Sequence, residues 1–206
     1  LGPHLHVSMR VAHEVGLRIR AAEQNFQDFS KVFRSSTTDM IGKITLFKCL
    51  IQGALVSAMV ALPVKAKDVT RLDAAQNRLG RRLLGRQGYR RVNGDNRDLD
   101  VTDDTVRRKL RLCHLAIVLR QRRLWYFHGV VKHRKHQVLA VLLGRGGWDG
   151  KWPIDVDGTP TRLAPDWLHL IHGDLRAFFK DRWRGFRAGW KFVVLSMKKE
   201  DVDALS

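Results

Sequence analysis

Apolar residues recur along the first part of the chain at the spacing of an α-helix. Between Ser8 and Phe33 they lie three or four positions apart, so they form one stripe along a long predicted helix. The stripe consists of Val11, Val15, Ile19, Ala22, Phe26, Phe29 and Phe33. A second predicted helix, from about Asp39 to Leu62, is apolar on most of its surface and ends before Pro63. Such a helix is expected at the centre of a core.

Two arginine-rich helical regions are predicted next. The first covers residues 66–84, and Gly85 is well placed to end it. Residues 86–101 are polar and rich in Gly, Asn and Asp, which is typical of a loop. The second region, residues 102–132, is either continuous or broken near position 113. Arg120 stands in it where the apolar pattern requires a hydrophobic residue.

The pattern weakens after this region. A short helix is predicted at residues 136–143, and the glycines of residues 144–150 indicate a linker. A last helix is expected to start after Asp166. It either ends early or continues through Trp190, and two glycines in the later part disfavour the longer helix. Phe192–Leu195 is the one short strand candidate.

These patterns predict an all-α fold. We expect a helical bundle made of a three-helix unit and further helices, followed by an irregular, partly helical C-terminal tail. The predicted divisions are residues 1–95, 96–143 and 144–206.

The chain is strongly basic, and its charge is concentrated. It has 38 Lys and Arg and 20 Asp and Glu, a net charge of +18. Residues 71–134 hold 17 Lys and Arg and 6 Asp and Glu, a net charge of +11. A polyanionic partner is therefore predicted, nucleic acid first and an anionic membrane surface second. The apolar stretch Cys49–Val64 contains Gln52 and falls short of the ~20 residues that a membrane span needs, so we interpret it as a buried helix.

Arginines of the basic region are the candidate phosphate-binding residues, because a guanidinium can bind a phosphate with two hydrogen bonds. The alternative is a solvated helix face, which is less favoured here because few acidic residues lie one helical turn away. The candidates are Arg71, Arg78, Arg81, Arg82, Arg86, Arg90, Arg91, Arg108, Arg111, Arg122 and Arg123.

Two motifs, in this order, resemble the end of a non-LTR (LINE-type) retrotransposon reverse transcriptase. The run Gln-Asn-Arg-Leu-Gly-Arg-Arg-Leu-Leu-Gly at residues 76–85 is similar to the pattern that closes the family's thumb. The run Arg-Arg-Leu-Trp-Tyr-Phe-His-Gly-Val at residues 122–130 is similar to a downstream family motif, but Trp125 replaces a basic residue and the Gly-His order is inverted. The resemblance covers about residues 1–143 and includes the opening Leu-Gly pair.

The resemblance implies a thumb domain of three helices followed by a basic helical region. The thumb of this family packs beside the template–product duplex and holds it through the backbone. The implied partner is therefore RNA or an RNA–DNA hybrid, bound with little sequence preference. The palm domain of the same polyprotein is a further implied partner, and the implied location is intracellular, in the nucleus or the cytoplasm.

No catalytic constellation is evident in this chain. Polymerases hold two metal ions with carboxylates on a palm sheet, whereas the adjacent pair Asp103-Asp104 opens a predicted helix. The histidines at positions 128, 133 and 136 have no nearby cysteine, so we read them as part of a solvated basic face and predict no metal. We likewise predict no cofactor and no small-molecule substrate. Because the chain starts with Leu1, we interpret it as a fragment or a mis-started gene model. Since it lacks the palm carboxylates, we expect it to be non-catalytic, and the resemblance implies that its parent is an RNA-directed DNA polymerase. The alternative is a decayed or structural helical fragment that acts only in protein–protein interaction.

Overall fold

The fold is all-α, as predicted. The computed structural model describes residues 11–85, 88, 101–133, 166–180 and 190–205. Helix accounts for 81% of these residues, and none of them lies in a strand.

The chain divides into two compact units. Residues up to Met59 together with Val64–Ala116 form the first unit, and Val60–Pro63 together with residues from Ile117 onward form the second. The division thus falls at residue 116, whereas the charge and glycine content of the sequence suggested boundaries at 95 and 143.

The described part of the first unit combines two long helices with several short ones. They are α1 (Val11–Asp28), α2 (Ser30–Arg34), α3 (Met40–Leu46), a π-helical stretch (Phe47–Gln52), α4 (Gly53–Val56), α5 (Ala66–Leu84) and α6 (Asp103–Lys109). A 3₁₀ turn, Met59–Ala61, precedes α5, and α7 (Leu115–Lys132) starts at the end of the unit. The single helix predicted over residues 8–33 is therefore two helices that meet at Phe29, and its first residues lie outside the described part of the chain.

The core of the first unit forms where α1 packs against α4, α5 and the π-helical stretch. The predicted stripe of α1 supplies Val15, Ala22 and Phe26, all of them buried. Phe29, which belongs to the same stripe, is 39% exposed because the helix breaks at that residue. Periodicity thus predicted most of the buried face: Phe33 beyond the break is buried as well, whereas Val11 and Ile19 are only partly covered.

The second predicted helix occupies the core only in its later part. No residue of α3 is buried, and Ile41 is 68% exposed. Burial starts at Phe47 and includes Ile51 and Leu55. The expectation that apolar residues would be covered along the whole helix is therefore wrong for α3.

The stretch that passes a membrane-span test is longer than Cys49–Val64, the stretch that the sequence analysis considered. Met40–Ala61 spans 22 residues and is long and apolar enough to cross a membrane, a property that the core helix of a soluble protein can share. The helix is interrupted at Ser57 and Ala58, and Ala58 has a φ of 65°.

Helix α5 has the predicted bounds, Ala66–Leu84, and ends at Gly85 with a φ of 56°. A positive φ is readily adopted by glycine, which explains the end of the helix. Gly80 allows α6 to pack closely on α5. A Cβ atom at this position would lie 2.9 Å from Leu110 Cδ1 and 3.0 Å from Val106 Cγ1.

A C-terminal cap of the Schellman type separates α6 from α7. The Leu112 N–H donates to the Arg107 carbonyl oxygen (2.8 Å), and the Arg111 N–H donates to the Arg108 carbonyl oxygen (3.2 Å). Arg111 takes the left-handed position of this motif, with a φ of 49°. Of the two alternatives for residues 102–132, the break near residue 113 is therefore the correct one. The predicted start is also confirmed, since the Thr102 side chain accepts a hydrogen bond from the Thr105 N–H (3.2 Å).

Replacing Arg111 with glycine is expected to stabilise the protein. A residue other than glycine loses about 1 kcal/mol when its backbone takes the left-handed conformation, and glycine avoids this cost. Part of that gain is offset because glycine loses more backbone entropy when the chain folds. We expect the free energy of unfolding, measured by urea denaturation, to rise by about 0.5–1 kcal/mol. Arg111→Ala removes the charge but keeps the Cβ atom, so it is the control and should not stabilise. A glycine variant less stable than the alanine variant would contradict this account of the cap.

Helices α7, α8 (Asp166–Phe179), α9 (Trp190–Leu195) and α10 (Lys199–Asp203) belong to the second unit. The ring of Phe127 on α7 stacks on Trp190 with 5.7 Å between ring centroids. The indole N–H of Trp167 donates to the Val60 carbonyl oxygen (2.9 Å), which attaches the short segment 60–63 to α8. The helix predicted to start after Asp166 is confirmed.

The strand candidate Phe192–Leu195 is wrong, because it lies within the helix α9. Trp190, Val193, Val194 and Met197 are buried, and their spacing places them on one helical face. A short apolar run does not distinguish strand from helix, and packing decided the outcome here. Most of the loop predicted at 86–101, the helix at 136–143, the linker at 144–150 and the continuation across 181–189 lie outside the described residues.

Candidate nucleic-acid interface

Three of the predicted arginines lie along the edge of α5 that adjoins α1. The side chains of Arg71 and Arg78 are 50% and 55% exposed, and Arg82 is also exposed. Arg78 forms an ion pair with Glu23 of α1, and the Arg82 guanidinium lies 4.6 Å above the ring centroid of Phe26. We call Arg71, Arg78 and Arg82 the α5 arginine row.

Arg81 has different surroundings from those of the α5 arginine row. Its guanidinium pairs with Asp103 at the start of α6 and donates to the Val101 carbonyl oxygen (2.8 Å). Its side chain is 24% exposed. Arg81 therefore links α5 to α6. Because its guanidinium is already paired with Asp103, less of its positive charge is available to a ligand.

The arginines have more acidic partners than the sequence indicated. Arg71 lies 3.8 Å from a carboxylate oxygen of Asp68 on its own helix, whereas Arg78 and Arg81 pair with acids of other helices. Spacing along one helix could reveal the first of these pairs but not the other two. An exposed pair contributes about 0–1 kcal/mol, so a phosphate that offers two hydrogen bonds can compete with Glu23 for Arg78.

Arg108 and Arg111 lie at the C-terminal end of α6 and are exposed. Neither forms an ion pair within the part of the chain that the structure describes. The capping motif fixes the backbone of Arg111, and the packing of α6 against α5 keeps both residues in the first unit. Like Arg82, these two residues are exposed cations of the first unit without an ion pair in the described residues.

The second unit separates the two neighbouring candidates Arg122 and Arg123. Arg122 is exposed, whereas the Arg123 side chain is buried and binds Asp174 of α8 through two hydrogen bonds, Nε–Oδ2 2.6 Å and Nη2–Oδ1 3.1 Å. Arg120 Nε lies 3.3 Å from Oδ1 of the same carboxylate. A buried and doubly hydrogen-bonded guanidinium has no free face for a phosphate, so Arg123 leaves the candidate set. Arg120 on the apolar stripe was the sequence feature that indicated an internal partner, although it did not identify Asp174.

Three further candidates, Arg86, Arg90 and Arg91, lie outside the described residues. The structure therefore adds nothing to their prediction.

The Gln-Asn pair of the first motif is buried and does not face a ligand. The Gln76 side chain is fully buried, accepts a hydrogen bond from Gln52 Nε2 (3.0 Å) and donates to the Cys113 carbonyl oxygen (3.1 Å). Asn77 is 1% exposed. Gln76 thus joins α5 to the π-helical stretch and to the segment between α6 and α7.

The acidic residues and histidines near the interface have different surroundings. In the residues that the structure describes, no three His, Cys, Asp or Glu side chains are grouped so that they could hold a metal ion. Asp103 and Asp104 lie in the first turn of α6, as predicted. The hydrogen bond from Arg107 holds the pKa of Asp104 below its usual value. On α7, the pKa of His128 is lowered, mainly by partial burial and secondly by the charge of Lys132. The rings of His128 and Trp125 are nearly perpendicular, with 4.9 Å between their centroids.

Comparison with known proteins assigns no family to this arrangement. No family model matches the chain, and the curated proteins and solved structures show no significant similarity to it.

Proposed function

We propose that the exposed arginines of the first unit bind the backbone of RNA or of an RNA–DNA duplex with little sequence preference. The observation that carries the proposal is the α5 arginine row, with Arg108 and Arg111 exposed on the neighbouring helix α6. The motifs at residues 76–85 and 122–130 support a narrower proposal, that the chain comes from the thumb region of a non-LTR reverse transcriptase.

The length of the α5 arginine row suits a nucleic-acid backbone. Arg71 and Arg82 are separated by 11 positions, which corresponds to about 16 Å along a helix at ~1.5 Å per residue. Successive phosphates of one strand are spaced by about 3.4 Å along a duplex axis, so the row can follow several of them. Contacts of this kind position a protein on a duplex without reading its bases.

The proposal assigns holding of nucleic acid, and not its synthesis, to this chain. The adjacent carboxylates Asp103 and Asp104 open α6, where they favour the helix N-terminus and pair with arginines. The palm domain that carries the metal-binding carboxylates in the resembled family is a proposed partner in the same polyprotein.

Neutralising the α5 arginine row is expected to weaken binding equally for all sequences. We expect Arg71→Gln/Arg78→Gln/Arg82→Gln to bind an RNA–DNA hybrid at least tenfold more weakly at about 50 mM salt. The slope of log affinity against log salt should fall by about 2–3, because each lost phosphate contact releases about one counterion fewer. Fluorescence anisotropy with two hybrids of unrelated sequence would measure both quantities.

A control with the same change of charge tests whether position matters. Arg20, Lys31 and Arg34 are exposed on α1 and α2, so their joint replacement by Gln removes three charges that do not belong to the row. This control should keep most of the affinity. Equal losses in the two triple variants would show a diffuse charge effect, and salt-independent binding by the unaltered protein would exclude the proposed function.

A second candidate, protein–protein interaction, is favoured by one observation. Met40 and Ile41 are 44% and 68% exposed at the start of an otherwise apolar segment. An exposed apolar pair of this kind is compatible with contact to another protein, including the proposed palm domain. Analytical ultracentrifugation of Ile41→Ser and of the unaltered chain would show whether this surface mediates self-association.

A further inference from the structure

The exposed face of α7 in the second unit combines an aromatic ring with cations. Positions 122, 126, 129 and 133 fall within an arc of about 60° at 100° per residue. Tyr126 is 37% exposed, and Arg122 and His133 are exposed on either side of it. A Cβ atom added to Gly129 would meet no atom within 4 Å, so the surface beside the tyrosine ring is open.

The Tyr126 ring is positioned by the core beneath it. It meets the buried Trp167 edge to face, with 6.3 Å between centroids and an interplanar angle of 77°. Trp167 is in turn attached through its hydrogen bond to the Val60 carbonyl oxygen. A ring that is already held in place loses little side-chain entropy when a ligand stacks on it.

Charge on this face also favours an anionic ligand. Residues 115–132 of α7 contain no acidic residue, and Lys132 adds an exposed cation near the end of the helix. Arg122 forms no ion pair within the described residues, and the carboxylate of Asp174 is buried against Arg120 and Arg123. An exposed aromatic ring beside an arginine that has no ion pair in the described residues is an arrangement by which proteins bind single-stranded nucleic acid without reading its sequence.

We propose that Arg122, Tyr126 and His133 form a binding surface for single-stranded nucleic acid, on which a base stacks against Tyr126 while Arg122 contacts the phosphate backbone. The 11 positions from Arg122 to His133 cover about 16 Å of helix, enough to contact several nucleotides of a single strand. The surface rests on the proposed nucleic-acid function and extends it, since the α5 arginine row would bind a duplex and this face a single strand.

Replacing the tyrosine in the full chain tests the proposal. With a fluorescent single-stranded 12-nucleotide DNA at about 50 mM salt, we expect Tyr126→Leu to bind about 5- to 100-fold more weakly. Tyr126→Phe keeps a ring and should bind within about threefold of the unaltered chain. Phe29→Leu, which alters an exposed aromatic residue of the first unit, is the matched control and should have no effect.

A second measurement covers the case in which Tyr126→Leu unfolds. Arg122→Gln changes only an exposed side chain, and it should reduce the salt slope for the single strand by about 0.7. Failure of the unaltered chain to bind the single strand, or equal affinities of folded Tyr126→Leu and Tyr126→Phe, would overturn the proposal. Anisotropy with an RNA–DNA hybrid separates this failure from that of the proposed function, because hybrid binding should not change in either α7 variant.

Discussion

Replacing Arg123 with alanine is expected to destabilise the second unit by about 3 kcal/mol, the low end of the range for a buried charge that loses its partner. Asp174 is 4% exposed, and Arg123 provides both of its short hydrogen bonds. The estimate stays at the low end because Arg120, 38% exposed and 3.3 Å away, can still partly neutralise the carboxylate.

Tryptophan fluorescence during urea denaturation measures this effect. All six tryptophans lie at or after residue 125, so their emission reports on the second unit. Arg122→Ala is the natural control, because it removes an exposed arginine one position away and should change the free energy of unfolding by less than about 0.5 kcal/mol.

A double replacement distinguishes loss of the pair from loss of packing. Arg123→Met together with Asp174→Leu removes both charges and keeps apolar volume, so this variant should be more stable than Arg123→Ala. If Arg123→Ala were as stable as Arg122→Ala, the buried pair would not hold α7 to α8, and Arg123 would return to the candidate phosphate contacts.

Replacing Gln76 with leucine is the second change for which we expect a large effect, about 2–4 kcal/mol of destabilisation in the first unit. Leucine fills a similar volume but offers neither the oxygen that accepts from Gln52 nor the amide that donates to the Cys113 carbonyl. Each buried polar group left without a partner costs about 1–3 kcal/mol. Helical circular dichroism during urea denaturation is the suitable measurement, because the first unit contains no tryptophan.

Two further variants identify the cause of that loss. Adding Gln52→Leu to Gln76→Leu removes one of the groups left without a partner, so the double variant should recover about 1 kcal/mol. Gln24→Leu alters an exposed glutamine of α1 and should change stability by less than about 0.5 kcal/mol. A Gln76→Leu protein as stable as the Gln24→Leu protein would show that the buried amide chain contributes little.

The role of Gln76 also changes the meaning of the first motif. By resemblance, the run at 76–85 belongs to a surface that holds a duplex. In the structure, Gln76, Asn77 and Gly80 are buried, and Arg78 and Arg82 of the same run are exposed. A motif of this kind therefore combines residues that pack the helix with residues that can bind a ligand, and only burial separates the two groups.

Sequence alone determined that the chain is helical, and it determined several helix ends. The apolar spacing of α1 and α5, Gly85 at the end of α5 and Thr102 at the start of α6 act within about one helical turn, and interactions of that range can be read from neighbouring positions. The same local information was insufficient for α9, where a few apolar residues fit a strand and a helix equally well.

Only the tertiary structure decided which arginines are available to a ligand. Arg123 is separated from Asp174 by 51 positions and Arg78 from Glu23 by 55, so no spacing along one helix could predict either pair. The exposure of Arg122 beside the burial of Arg123 depends on which side of α7 packs against α8. The sequence thus determined that this chain is helical and basic because helix formation and charge are local properties, whereas its available surface was set by the packing of distant segments.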